Sequence, residues 1–245
     1  MNRLVIDIGN TTIKAGCFNN RLLIKAIRAV FDEDGSIEEA LLKLVIHEPK
    51  EAIIGSVAGK KKEVEQFLKR ANIPFRYFQN GDKIPIKNKY ETPETLGLDR
   101  LANAIAAAAI YPNKPVVVID AGTCIKFDFI TNNNEFFGGS IAPGIDMRFK
   151  ALHQFTNRLP LLSRSEMVYL IGKNTTEAIQ SGVINGALAE VKGILEQYQM
   201  THKDLQVILT GGDCALLERS LKSSVLSDSW LTLKGLNELF FTNAA

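Results

Sequence analysis

The stretch Leu4-Val5-Ile6-Asp7-Ile8-Gly9-Asn10-Thr11 is followed, nearly half the chain length later, by Val117-Val118-Ile119-Asp120-Ala121-Gly122-Thr123. Each copy is an apolar run that ends in Asp-x-Gly, and Asp120 lies 113 positions after Asp7 in a chain of 245 residues. A β-branched run that meets glycine and a hydroxyl residue is typical of a strand entering a tight turn. Self-similarity of this kind marks a repeated structural unit, so the two copies predict an internal duplication.

The segments that follow the two copies also run in parallel. After the first copy, the pattern predicts strands at residues 13–18, 22–30, 52–57 and 75–78 and helices at residues 36–46 and 62–71. After the second copy, it predicts strands at residues 125–130, 135–141 and 205–209 and helices at residues 145–155, 175–199 and 215–221. At the end of the chain we expect a short strand at residues 230–233 and a closing helix. Three strands, helix, strand, helix (βββαβα), used twice, predict an α/β protein of two lobes, residues 1–114 and 115–245, with an interlobe cleft.

Composition narrows the function classes. Lys and Arg number 29 against 27 Asp and Glu, and this near balance is unlike the cationic excess of a non-specific nucleic-acid binder. The three cysteines and three histidines are scattered along the chain, so neither a structural zinc site nor a disulfide scaffold is expected. The apolar residues 102–111 fall short of the roughly 20 residues of a membrane span. We therefore expect a cytoplasmic protein without a nucleic-acid or membrane partner.

Two Asp-x-Gly turns suggest phosphate binding. Gly9 permits close approach of a ligand, Asn10, Thr11 and Thr12 offer donors to phosphate oxygens, and the Asp7 carboxylate suits Mg²⁺. The turn at residues 120–123 would bind the phosphates in the same way from the other lobe. Gly211-Gly212 would let an adenosine lie against the backbone. The alternative is that each Asp-x-Gly marks only a hairpin turn. No Walker-type phosphate loop or dinucleotide-binding glycine motif occurs in the sequence.

A third informative stretch is Tyr90-Glu91-Thr92-Pro93-Glu94-Thr95-Leu96-Gly97-Leu98-Asp99-Arg100, which precedes a helix predicted at residues 101–111. Asp99 has two interpretations: it caps the helix, or it accepts a proton from a substrate hydroxyl. Arg100 likewise is either a surface cation or the ligand of a substrate carboxylate.

Together these stretches resemble the type III pantothenate kinase family, within the acetate and sugar kinase/Hsp70/actin superfamily. The resemblance extends in chain order over residues 7–11, 90–100, 120–123, 138–144, 151–160, 172–182 and 210–212. It implies duplicated ribonuclease H-like (actin-like ATPase) lobes. It also implies ATP-dependent phosphorylation of pantothenate to 4′-phosphopantothenate, the first step of coenzyme A biosynthesis.

The resemblance also implies roles for individual residues. Asp99 is the expected general base. Pantothenate would be bound by Tyr90, Gly97, Leu98, Asp99 and Arg100, and by Thr175 of the neighbouring subunit of a homodimer. ATP, with Mg²⁺, would be bound by Asp7, Ile8, Gly9, Asn10, Thr11, Thr12, Ile13, Lys14 and Thr123. Asp120 would ligate a monovalent cation, K⁺ or NH₄⁺.

The sequence differs from the residues usual in the family at three positions. Cys124 replaces a frequent alanine, Lys126 a frequent threonine, and Arg148 a usual serine. Lys126 alternates with Ile125 and Phe127, so its side chain faces either the nucleotide or solvent. These departures bear on cation preference and nucleotide affinity, and they leave the expected base and both turns intact.

Two other functions remain open at this point. One is a nucleotide-binding regulator that uses the same fold without catalysis. The other is a different kinase of the superfamily, acting on a sugar or acetate. A sugar kinase of the repressor-related group would be expected to carry a Cys/His zinc cluster, which the sequence lacks.

Overall fold

The computed structural model describes residues 1–9, 12–30, 37–56, 61–165, 167–221 and 225–242. The strands in these ranges are β1 Asn2–Ile8, β2 Thr12–Asn19, β3 Leu22–Val30, β4 Glu51–Ser56, β5 Phe75–Tyr77, β6 Lys87–Asn88, β7 Val116–Ala121, β8 Cys124–Ile130, β9 Glu135–Pro143, β10 Gln206–Thr210 and β11 Leu226–Ser227. The α-helices are α1 Ile37–Val45, α2 Lys61–Arg70, α3 Leu98–Ile110, α4 Ile145–Gln154, α5 Thr175–Thr201, α6 Cys214–Ser220 and α7 Leu231–Thr242, and Pro93–Thr95 forms a 3₁₀ turn.

The first sheet has the strand order β3-β2-β1-β4-β5. β2 runs antiparallel to β1 and to β3, whereas β4 is parallel to β1 and to β5. Alternate residues of β1 point to one face of the sheet, where Leu4, Ile6 and Ile8 are fully buried. They share a core with Leu41 of α1 and Leu68 of α2.

The second sheet contains the strands β11-β10-β7-β8-β9 in this order. β8 is antiparallel to β7, and β10 is parallel to both β7 and β11. Val117 and Ile119 of β7 are buried in a core with Phe149 of α4 and with Ala187 and Val191 of α5.

Both sheets therefore follow one plan. Numbered within each repeat, the strand order is 3-2-1-4-5 in both, with a hairpin between the first two strands and a parallel fourth strand beside the first. The predicted duplication and α/β class are confirmed. Element boundaries differ by one to three residues at most helix ends.

The chain divides into two compact units: Met1–Asn113 with Asn133–Phe137 and Trp230–Ala245, and Lys114–Asn132 with Gly138–Ser229. The lobes predicted from sequence, residues 1–114 and 115–245, differ from these units at Lys114 and in the segments 133–137 and 230–245. Glu135 and Phe136 pair with β6 in the first unit, and α7 packs there against α3.

The packing of α7 on α3 also corrects the prediction for residues 230–233. These residues were expected to form a strand, but α7 begins at Leu231, and the short strand of this region is β11 at Leu226–Ser227. Gly235 lies so close to Ala102 that a methyl group on Gly235 would be 1.8 Å from the Ala102 carbonyl oxygen. The buried Thr232 hydroxyl donates to Asn103 Oδ1 at 2.9 Å.

Candidate active site

The first Asp-x-Gly turn joins β1 to β2. The Gly9 N–H donates to the Thr12 carbonyl at 2.9 Å and closes the turn, so the hairpin interpretation is correct for the backbone. Asp7 and Lys14 are directly opposite each other in the antiparallel pair and both are half-buried. Thr12 is half-buried as well, whereas Asn10 and Thr11 lie outside the described residues.

Two of the expected ATP ligands can contribute only main-chain groups. The side chains of Ile8 and Ile13 are fully buried in the apolar core of the first unit. Their apolar faces hold the hairpin on the helices below it, so any nucleotide at this turn meets the backbone and not these side chains.

The second Asp-x-Gly turn is closed by the Gly122 N–H, which donates to the Cys124 carbonyl at 2.9 Å. Gly144, the N-cap of α4, donates its N–H to the Thr123 carbonyl at 3.1 Å. A methyl group on Gly144 would be 2.2 Å from the Gly122 carbonyl oxygen. The helix N-terminus of α4 therefore lies directly on this turn, beside the exposed Thr123, and its free N–H groups favour an anion there.

Asp120 of the second turn pairs with a lysine and lies beside a glycine turn. Its Oδ2 lies 2.7 Å from Lys126 Nζ, and the two side chains are only 16% and 17% exposed. A methyl group on Gly211 would be 2.7 Å from Asp120 Oδ1 and 2.2 Å from the Ala121 carbonyl oxygen. Gly211 has φ +93°, a conformation open mainly to glycine, so the Gly211-Gly212 turn can pass close to Asp120.

Arg164 anchors the segment after Gly211-Gly212. Its guanidinium donates to Asp146 of α4 at 2.7 Å and binds both carboxylate oxygens of Asp213, the N-cap of α6. Hydrogen bonding to Asp146, followed by the contacts with Asp213, raises the pKa of Arg164 above its usual value. No sequence pattern indicates the role of Arg164, because its partners lie 18 and 49 positions away.

Asp99 lies in the first turn of α3, in the first unit. The helix begins at Leu98 with Gly97 as its N-cap, three residues earlier than predicted, so Asp99 is not the N-cap residue. A methyl group on Gly97 would be 2.5 Å from Asp99 Oδ1, which places the carboxylate over the start of the helix. Asp99 is half-buried.

Arg100 is buried, with 4% of its surface exposed, so the interpretation as a surface cation is wrong. Its guanidinium carbon lies 5.5 Å from the ring centroid of Tyr90. The Tyr90 ring in turn stacks on Phe136 of β9, at 6.3 Å between centroids and an interplanar angle of 25°. The structure therefore brings Tyr90 together with Arg100, and it adds Phe136, which sequence reasoning missed.

Thr175 is the first residue of α5 and is exposed. The preceding Asn174 caps the helix by accepting the Glu177 N–H at 3.0 Å. Just before this cap, the side chains of Met167, Tyr169, Leu170 and Ile171 are 55–82% exposed. The carbonyls of Tyr169 and Leu170 are nevertheless bound by Asn185 and Ser181 of α5.

No group of three or more His, Cys, Asp or Glu side chains arranged to hold a metal occurs in the part of the chain that the structure describes. Across the same ranges, no helix combines the length and apolar character of a bilayer-spanning segment.

Comparison with known proteins gives consistent results. A family model described as type III pantothenate kinase matches residues 3–197. A type III pantothenate kinase of Christiangramia forsetii is 42% identical over 237 residues, which are 96% of each chain. Among solved structures, a Campylobacter jejuni protein described as a candidate Baf family transcriptional activator has a TM-score of 0.64 at 23% identity, over 98% of each chain.

A more distant solved structure shows the same fold. The activator of 2-hydroxyisocaproyl-CoA dehydratase from Clostridium difficile, solved with bound ADPNP, has a TM-score of 0.53 at 12% identity. It covers 100% of this chain and 95% of its own. At these identities the two structural likenesses concern the fold alone, and they agree with the predicted duplicated, actin-like architecture.

Proposed function

The chain belongs to the type III pantothenate kinase family, and we propose that it transfers a phosphoryl group from ATP to pantothenate with Asp99 as the general base. The product of this reaction is 4′-phosphopantothenate, and the reaction is the first step of coenzyme A biosynthesis. The observation that carries the assignment is the family match, which extends through the Asp99 helix and both Asp-x-Gly turns.

Asp99 accepts the proton of the pantothenate hydroxyl as that oxygen attacks phosphorus. Phosphoryl transfer passes through a loose transition state, so the protein chiefly positions groups and neutralises charge. An ordinary ionised carboxylate is adequate for this step. The position of Asp99 in the first turn of α3, beside the side-chain-free Gly97, supports the role because the carboxylate is held at a helix start.

Arg100 binds the single carboxylate of pantothenate in this proposal. A planar guanidinium offers two parallel N–H donors to a carboxylate, and burial strengthens the interaction. Contact with the Tyr90 face, which is itself stacked on Phe136, fixes the plane of the guanidinium. Gly97 and Leu98 complete this side of the pocket.

ATP is assigned to the two turns. In the first turn, side chains of Asp7, Thr12 and Lys14 would bind the nucleotide. Ile8, Gly9 and Ile13 would contribute main-chain groups. Asn10 and Thr11 are also predicted ligands. Thr123 and the α4 N-terminus would serve the phosphates in the second unit. Mg²⁺ characteristically keeps several waters and takes one or two carboxylates together with substrate phosphates. Asp7 is a half-buried carboxylate next to the turn, so it could be one such ligand, and the ion would neutralise phosphate charge when bound.

The residues present do not support the monovalent cation that the family resemblance implies. Its expected ligand, Asp120, already has Oδ2 at 2.7 Å from the Lys126 ammonium. These residues do not fit a soluble K⁺ or NH₄⁺ at that oxygen, and we assign no step of the reaction to such an ion.

A homodimer is part of the proposal. Apolar patches that remain exposed on a folded chain mark interaction surfaces. The residues Met167, Tyr169, Leu170 and Ile171 are such a patch; Ser181 of α5 donates to the Leu170 carbonyl, and Thr175 follows Ile171 by four residues. A second copy of the chain packed on this patch would bring Thr175 to its neighbour's pantothenate, as the resemblance implies. Cytoplasmic location and the absence of a nucleic-acid partner stay predictions.

The decisive experiment is a coupled assay of ADP release with and without pantothenate. The wild type is expected to release ADP only with pantothenate, and Asp99→Asn is expected to lose about 10²–10⁴-fold in kcat, the usual effect of removing a general base. Asp204→Asn, at an exposed position, serves as the matched control. Unchanged turnover in Asp99→Asn would refute the base. ATP binding without turnover would favour a nucleotide-binding regulator. ADP release with a sugar or with acetate would favour a different kinase.

A further inference from the structure

Lys126 is placed opposite Asp120 by the register of the second hairpin. In the antiparallel pair of β7 and β8, residues that are directly opposite project from the same face of the sheet. The first hairpin has the same arrangement, because Asp7 of β1 is directly opposite Lys14 of β2. Each repeat therefore carries an aspartate at the end of its first strand with a lysine across from it. Lys126 is thus part of the duplicated plan and its direction is set by the sheet.

We infer that the Lys126 ammonium is a built-in monovalent cation at Asp120, so that turnover by this chain does not depend on K⁺ or NH₄⁺. The inference rests on the proposed kinase function. It makes Lys126 a positioning residue, since it acts through Asp120 and through the turn that carries Thr123.

Three physical features support this assignment. The lysine ammonium has the charge of K⁺ and the donor chemistry of NH₄⁺, in a compact head group. It is tethered, so it reaches Asp120 without the loss of translational freedom that a soluble ion incurs. A second monovalent cation at the same carboxylate would lie beside a like charge, and repulsion at so sheltered a position is weakly screened.

The other oxygen of Asp120, Oδ1, has little space for a soluble cation. Oδ1 faces the Gly211 backbone closely enough that a methyl group there would be 2.7 Å away. The Lys126 ammonium at Oδ2 compensates the carboxylate charge, and the Gly211 backbone limits the space beside Oδ1. A polyphosphate beside Thr123 then meets a neutral pair and not an isolated anion.

The test compares initial rates of ADP release at equal ionic strength in KCl, NH₄Cl and tetramethylammonium chloride, whose cation is too bulky for such a site. The wild type is expected to give the same rate in all three salts, within about 2-fold. In Lys126→Thr, the rate in tetramethylammonium chloride is expected to fall by about 10²-fold, as when one charge-stabilising group is removed. KCl or NH₄Cl should restore that variant to near the wild-type rate. Lys50→Thr, whose lysine pairs with the exposed Glu48, is the matched control and should respond like the wild type.

Thermal unfolding in the same salts gives a readout that does not need turnover. A cation that binds only the folded Lys126→Thr protein should raise its Tm by about 2–4 °C in KCl relative to tetramethylammonium chloride. The wild type should show no such difference. Strong activation or stabilisation of the wild type by K⁺ would overturn the inference, as would a Lys126→Thr variant that no cation restores. If no preparation releases ADP with pantothenate, the kinase proposal fails, and the Tm comparison still decides whether Lys126 occupies the cation position.

Discussion

The carboxylate of Asp99 lies against the backbone of Gly97, so that a methyl group on Gly97 would be 2.5 Å from Asp99 Oδ1. Gly97 has φ −61° and ψ 127°, values that any residue adopts. The glycine is therefore not needed for backbone conformation at this N-cap. It is needed for the space that the carboxylate occupies.

Gly97→Ala is expected to lower kcat with little effect on stability. The added methyl group pushes the flexible end of Asp99 aside, and a displacement near 1 Å at a reacting group can cost about 10²-fold in rate. The measurement is kcat by ADP release, with the Tm from circular dichroism. Gly193→Ala in α5, where a methyl group meets no atom within 4 Å, is the control and should keep full activity. Wild-type kcat in Gly97→Ala would mean that Asp99 need not occupy its observed position.

Arg100→Lys is expected to weaken pantothenate binding more than it slows catalysis. Lysine keeps the charge but loses the planar pair of donors and the contact with the Tyr90 face. Loss of one hydrogen bond to a charged group, about 2 kcal/mol, corresponds to a rise of roughly 30-fold in the KM for pantothenate. Steady-state kinetics measures this change, with Arg70→Lys, an exposed partner of Glu38, as the control. An unchanged KM would remove Arg100 from the carboxylate site.

Leu170→Asp is expected to dissociate the dimer. Leu170 is 82% exposed in the single chain, and burial of an unpaired carboxylate in an apolar interface costs several kcal/mol, so Kd should rise by at least about 100-fold. Size-exclusion chromatography with light scattering reports the mass over a concentration series. Met200→Asp, at the other end of α5 and 83% exposed, should remain dimeric. A wild type that is monomeric at every concentration would contradict the dimer.

Gly235→Ala is expected to destabilise the fold by about 1–3 kcal/mol, the usual cost of overpacking. The methyl group would meet the carbonyl of Ala102 at 1.8 Å, and a backbone carbonyl in a helix cannot move aside as a side chain does. Urea unfolding monitored by circular dichroism gives the free energy of unfolding. The Gly193→Ala variant is again the comparison, with an expected gain of roughly 0.5–1 kcal/mol from helix propensity. Equal stability of Gly235→Ala and the wild type would show that α7 can shift away from α3.

The duplicated fold could be predicted because its signal is local. A β-branched run followed by Asp-x-Gly and a second apolar segment specifies a hairpin within about fifteen residues, and both copies form one, β1–β2 and β7–β8. The strand order 3-2-1-4-5 depends on pairing between strands that are distant in sequence, and it was seen only in the structure. The beginning of α3 was placed three residues late because its N-cap, Gly97, offers no side-chain oxygen to mark a helix start.

The remaining differences come from contacts between distant residues. Leu231 and Leu233 alternate as in a strand, but Leu236 and Leu239 are buried as well, and this longer spacing belongs to a helix, α7, which packs on α3. The stacking of Phe136 on Tyr90 depends on the pairing of β6 with β9, and no sequence motif predicts this pairing. The side of the sheet on which the Lys126 side chain lies depends on the register of β7 and β8. The sequence pattern does not specify that register, which the structure shows by pairing Asp120 with Lys126.

The packing of α7 on α3 has a consequence for how the chain matures. Residues 111–230 separate the two helices, and at about 5–20 residues per second α3 leaves the ribosome roughly 6–24 s before its packing partner is made. Throughout that interval the Ala-rich side of α3 that α7 will cover stays uncovered on the nascent chain. The close approach of Gly235 to Ala102 and the Thr232–Asn103 hydrogen bond can therefore form only after residues 231–242 have been synthesised, and a nascent chain that stops short of them leaves this side of α3 open to chaperones.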